Sequence, residues 1–175
     1  MITKLIFVCT DNTCMGPIAE TIFKNSNHGL EMEVCSRGLV VLFPEPVNPK
    51  AETLLATHGL IISSHTAKQF KAEEVDEDTL ILTMNTVQKR RLATDFFIND
   101  NVYTLPEFAG AHGDVEDPYG KETKEYEACY TELDGWIQKI IYRLLYNRLP
   151  ELIVQDVELH NNNILGGEKN DSNRQ

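Results

Sequence analysis

The chain has 175 residues, 25% charged and 42% hydrophobic, with a formal net charge of −11, which fits one soluble globular domain with a proper core. The acidic balance argues against nucleic acid or an anionic membrane as a partner. "MITKLIFVCT" lacks the long apolar run and cleavage site of a signal peptide, and no stretch is apolar enough to span a bilayer.

Taken in chain order, the elements alternate. Residues 4–9, "KLIFVC", form a short apolar run that predicts a buried parallel strand. Pro17 suits the first turn of a helix continued by "IAETIFK". "EMEVCS" (residues 31–36) alternates like a second strand. In "NPKAETLLATHG" Asn48 is the N-cap, Pro49 the first helical residue and Gly59 the stop. "TLILTM" (79–84) predicts a third strand, "TVQKRRLATDF" a helix, and "NVYTL" (101–105) a fourth strand. The last helix carries Tyr126, Tyr130, Leu133, Ile137, Ile140 and Leu144 at spacings of three or four. Strand and helix in turn imply an α/β fold, a doubly wound parallel sheet of four strands with helices on both faces. One domain is expected over 1–149. The extension 150–175 changes character: "ELIVQDVEL" suits a strand or short helix, and the Asn- and Gly-rich remainder reads as a mobile tail.

With no secretory signal, Cys9, Cys14, Cys35 and Cys129 read as thiols of a reducing cytoplasm. Cys9 and Cys14 are not in C-x2-C spacing and have no nearby His pair, so neither a metal site nor a cofactor is expected. Ligands of doubly wound sheets sit beyond the carboxyl ends of the strands, where Cys9 lies. A polar loop feeding a helix N-terminus lowers a thiol pKa from about 8.5 and binds phosphate oxygens. Alone, this pattern is also that of a buried cysteine closing a strand.

"VCTDNTCMGPIAETIFK" resembles the active-site loop of the low-molecular-weight protein phosphatases, V-C-x-G-N-x-C-R-S-P-x-A-E. "SRGL", "EPVNPKAETLLATHGL", "SSHTAKQF", "LILTM" and "GDVEDPYG" follow in that family's order, from Ile2 to about Leu145. The resemblance implies that Cys9 is the nucleophile forming a cysteinyl phosphate and Asp117 the general acid. It implies a phosphate-binding loop of Thr10, Asp11, Asn12, Thr13, Cys14, Met15 and Gly16. Asn12 braces it with Ser36 as partner, and Cys14 can trap Cys9 as a protective disulfide. Thr13, where tyrosine-specific members carry an aliphatic residue, points to the bacterial phosphoarginine branch. Tyr119 and the stretch Leu39 to Phe43 are candidates for the pocket wall, core packing being the other reading of that stretch. The implied partner is a phosphorylated protein or peptide.

The departures from the family pattern bear on turnover. The family arginine is Met15, its loop glycine Asp11, and the serine after the arginine Gly16. Methionine cannot make the bidentate, charge-assisted pair with phosphate, and Asp11 adds a negative charge. A positioned arginine is worth on the order of 10³–10⁵ in phosphoryl transfer. A strongly impaired phosphatase and an inactive pseudophosphatase that binds a protein partner are the two readings. Thiol-dependent arsenate reduction would also want the arginine, and a redox cysteine pair beside Cys129. Arg37 and Lys121 are the candidates for a replacement cation. Alternation of side chains along a strand turns Arg37 away if Ser36 faces the loop. His58, His65 and His112 read as surface or capping residues.

Overall fold

The computed structural model describes residues 1–167 except His28, with side chains described as far as Tyr146. Two compact units are distinguished, Met1–Ile141 and Tyr142–Gln175. In the first, β1 (Lys4–Cys9), β2 (Glu33–Gly38), β3 (Thr79–Thr83) and β4 (Val102–Thr104) form one sheet in the order β2-β1-β3-β4, all pairs parallel. Between them lie α1 (Met15–Ser26), α2 (Pro49–Thr57) and α3 (Thr86–Asp95), and the short α4 (Leu105–Phe108) and α5 (Thr123–Gly167) follow β4. The chain reverses its direction of winding at β1, so the carboxyl ends of β1 and β3 form the crevice where such sheets hold ligands.

The period of two along β1 places helices on both faces. Phe7 turns one way and packs edge-on against Phe23 of α1, ring centroids 5.9 Å apart. Ile6 and Val8 turn the other way into a cluster with Phe70, Ile81, Leu92 of α3 and Val102. Each such apolar side chain contributes about 1.5–3 kcal/mol by burial. Tyr126, Leu133, Ile137 and Ile140 of α5 are buried as their spacing predicts.

Local signals set most element ends. The Asn48 side chain accepts from the Lys50 N–H at 2.9 Å, with Pro49 opening α2, and Gly59 beyond its end has φ 73°. Asn85 and Gln88 make a reciprocal capping box at α3, as do Thr104 and Glu107 at α4. β2 is displaced two residues from the sequence reading, because the ladder starts where the Glu33 N–H reaches the Thr3 carbonyl. In the second unit the backbone is helical through Pro150 to Gly167, so Pro150 marks no break. Tyr142 and Tyr146 stack there at 6.4 Å. Residues 168–175, part of the expected mobile tail, lie outside the described residues.

Candidate active site

β1 ends at Cys9 and α1 starts at Met15. The first helical hydrogen bond runs from the Ile18 N–H to the Cys14 carbonyl, 3.0 Å. Pro17 is therefore within the first turn, where a missing donor costs nothing. Of the intervening residues only Thr10 and Asp11 are exposed; Asn12, Thr13, Cys14, Met15 and Gly16 are buried, and Cys9 keeps 2% of its surface.

Neighbouring elements hold this loop from several sides. Asn12 adopts φ 63°, in the left-handed region that asparagine tolerates. Its carbonyl accepts from His65 Nε2 at 2.7 Å, and its Oδ1 accepts from the Lys68 N–H at 3.0 Å. His65 thus supports the loop from 53 positions away, a role the surface reading missed. The Thr10 hydroxyl accepts from Gln88 Nε2, 3.3 Å, and the Thr13 carbonyl from the Asn48 N–H, 2.7 Å. Gly38 is required by close approach: a Cβ there would lie 2.8 Å from the Asp11 carbonyl carbon and 3.0 Å from the Asn12 nitrogen.

The expected partnership of Asn12 with Ser36 is not formed. The Ser36 hydroxyl donates to Glu20 Oε2 at 2.5 Å, and Asn12 Nδ2, fully buried, has no partner among the described residues. A Cβ built at Gly16 would lie 3.3 Å from Asn12 Nδ2 and 3.4 Å from the Ser36 Cβ, so a side chain there would crowd both. The same Cβ would lie 2.9 Å from Cys9 Sγ, so the thiol occupies room that a larger residue would need.

Asp11 supplies the loop with its own anion. Its Oδ1 accepts both the Thr13 N–H, 3.0 Å, and the Thr13 hydroxyl, 2.9 Å. Both donors are thereby engaged before any ligand arrives. Asp117 lies on the loop between α4 and α5. The Val115 N–H ties that loop to the Met84 carbonyl after β3, 2.8 Å, and Asp117 Oδ1 accepts from the Tyr119 N–H, 2.9 Å.

The Cys9 thiol is pushed up to about 12, chiefly because burial disfavours a thiolate. The N–H groups of Gly16 and Asn12 oppose this, while the carboxylates of Asp11 and Asp117 add to it. Both carboxylates thus act against a thiolate at Cys9. Cys14 is also pushed up to about 12, by burial first and next by the neighbouring Cys129 thiol, ahead of Cys9. Cys9 and Cys14 are both free thiols, as are Cys35 and Cys129.

Neither candidate cation is directed at Cys9. The Arg37 guanidinium is engaged by Glu74 at 2.8 Å and by the Ser36 carbonyl at 2.8 Å. Lys121 is paired with Glu116. In the stretch Leu39 to Phe43, Leu39 belongs to the core, whereas Leu42 and Phe43 are exposed, as is Tyr119. His58 stacks on Tyr130 and pairs with Glu127 at 2.8 Å, remote from the loop in sequence and bonding.

The family model of the low molecular weight phosphotyrosine protein phosphatases matches residues 4–149, and the chain belongs to that family. It is 35% identical over 137 residues to the low molecular weight protein-tyrosine-phosphatase PtpB of Staphylococcus haemolyticus, covering 78% of this chain and 96% of the relative. Among solved structures it is similar to the low molecular weight protein tyrosine phosphatase of T. tengcongensis, at 37% identity and TM-score 0.75, over 80% of this chain and 98% of the other. The YwlE arginine phosphatase of Geobacillus stearothermophilus is similar at 30% identity and TM-score 0.78, over 84% and 96%.

Proposed function

We propose that this protein is a low-molecular-weight phosphatase whose turnover through a cysteinyl phosphate is strongly impaired, and that it works chiefly by binding a protein partner. The observation that carries the reading is the state of Cys9: a buried thiol, 2% exposed and pushed up to about 12, with the Asp11 and Asp117 charges also acting against its ionisation. Attack on phosphorus needs a thiolate. With Met15 in the arginine position, the family's bidentate donor is lost as well. That loss alone amounts to about 10³–10⁵ in rate.

Residual turnover of phosphoarginine ahead of phosphotyrosine is the second reading. It rests on Thr13 and on the arginine phosphatase among the similar structures. In either case Cys9 is the nucleophile, Asp117 the acid, and a phosphorylated protein or peptide the substrate.

Steady-state hydrolysis of an aryl phosphate and of phosphoarginine by the parent and by Met15→Arg/Asp11→Gly tests the proposal. The double variant is expected to gain at least about a hundredfold, the low end of one positioned donor, and to lose the gain on adding Cys9→Ser. A parent that turns over as fast as the double variant overturns the reading.

A further inference from the structure

A groove of about 640 Å³ lies outside the loop, between α1, the free edge of β2, and residues 60–68. β2 is an edge strand, so one row of its main-chain groups points away from β1.

The hydrogen bonds identify that row. The Glu33 N–H bonds the Thr3 carbonyl across to β1, and the Leu39 N–H bonds the Cys9 carbonyl. Alternation then turns Val34, Ser36 and Gly38 outward. Gly38 is partnered there: its N–H bonds the Lys68 carbonyl and its carbonyl accepts from the Phe70 N–H, in a parallel bridge to Gln69. A fifth strand thus begins at Lys68 but is not continued backwards. The Ala67 N–H goes instead to the Glu45 carbonyl, and Ser64 turns with φ 58°. The place beside Val34 and Ser36 is the groove.

The outward groups define what fits. The Ser36 carbonyl is taken by Arg37 at 2.8 Å. The Val34 N–H, the Val34 carbonyl and the Ser36 N–H have no partner among the described residues. In a parallel ladder one residue of the incoming strand donates to the Val34 carbonyl and accepts from the Ser36 N–H, while the residue two before it accepts from the Val34 N–H. A parallel segment therefore uses all three free groups and leaves the Ser36 carbonyl to Arg37. An antiparallel segment would bring an N–H against that occupied carbonyl.

Direction and charge narrow the partner. A segment parallel to β2 runs towards Gly38, where Lys68–Phe70 already occupies the next place, so an uninterrupted strand has to end there. Lys68 lines that end, exposed, and its ammonium has no ion pair among the described residues. Lys24 is engaged by Glu20, Glu33 by Lys4, and Arg37 by Glu74. Among the described residues, the one uncompensated charge of the lining is thus positive, on a chain of net charge −11.

We propose that the β2 edge groove docks the extended C-terminal tail of a partner protein, added as a parallel strand with its terminal carboxylate at Lys68. Strand addition is a general mode of peptide recognition, with affinity from the main chain. The site does not depend on turnover at Cys9.

The test uses the full chain and a pool of acetylated Thr/Val/Glu hexapeptides with free C-terminal carboxylates. Amide hydrogen exchange is read by NMR. At saturation the Val34 and Ser36 amides should exchange at least about tenfold more slowly, while the Cys35 amide, already turned to β1, is unchanged. Capping the peptides as C-terminal amides, or changing Lys68→Met, should each weaken binding by at least about tenfold, the worth of one charge-assisted contact. Only the Lys68 main chain supports the fold, so the variant tests the charge. Unchanged exchange at Val34 and Ser36 overturns the groove as a docking site. Equal binding of free-acid and amidated pools overturns the C-terminal assignment. Neither result bears on turnover at Cys9.

Discussion

Alkylation of Cys9 at neutral pH puts a number on the closed loop. With the thiol pushed up to about 12, its thiolate fraction at pH 7 is about 10⁻⁵, against about 10⁻¹·⁵ for a free cysteine of pKa 8.5. The more basic thiolate is intrinsically more nucleophilic, and a Brønsted slope near 0.4–0.5 returns a factor of about 40. Cys9 should therefore react about a hundredfold more slowly than a free cysteine, before any steric shielding. The assay is iodoacetamide labelling with mass-spectrometric reading of each cysteine separately. Because the group stays protonated below its raised pKa, the rate should climb tenfold per pH unit from 7 to 10 without a plateau. Met15→Arg/Asp11→Gly brings in a cation and removes a like charge. An opposite charge at close range lowers a pKa by about 1–3 units, so labelling at pH 7 should speed up severalfold or more. Parent Cys9 labelling as fast as a free thiol, with a plateau near pH 8 to 9, would refute the sealed-thiol reasoning.

Gly38→Ala places a Cβ against the main chain of Asp11 and Asn12, which cannot give way as a side-chain tip can; it should destabilise by about 1–3 kcal/mol in urea unfolding. Asn12→Ala combines a lost acceptor for the Lys68 N–H with a left-handed backbone, so it should unfold at lower urea than Asn12→Gly, which keeps the backbone at ease. Glu107 is held below its usual 4.5, first by the Lys89 ammonium and then by the Thr104 N–H. Its contribution is present above pH 4.5 and is lost as pH falls through the depressed value, so Lys89→Met should flatten the acid limb of the stability curve, measured by urea unfolding.

The fold was legible where local chemistry decides it. The apolar run of β1 and the Asn48-Pro49 start of α2 are contained in a few neighbouring residues, and both stand where read. The start of β2 was not, because it is set by Thr3, some thirty residues earlier. Pro17 stands within the first turn of α1, as read, because a missing donor costs nothing there. In the site, the substitutions at 11, 15 and 16 were plain in the sequence, but their consequences were not. That His65 and Lys68 hold Asn12, in place of Ser36, depends on contacts across 53 and 56 positions that no spacing reports.

The Asp11 clasp on Thr13 also changes what the loop needs from its surroundings. A phosphate cradle gathers N–H donors around an empty centre and gains order when an anion fills it. Here a covalently attached carboxylate satisfies donors from within, at an effective concentration no free ion reaches. With the Thr13 donors engaged in this way, adding or withdrawing phosphate should leave the loop as it is. A partner that reads this surface would meet the same contour whatever the phosphate level around it.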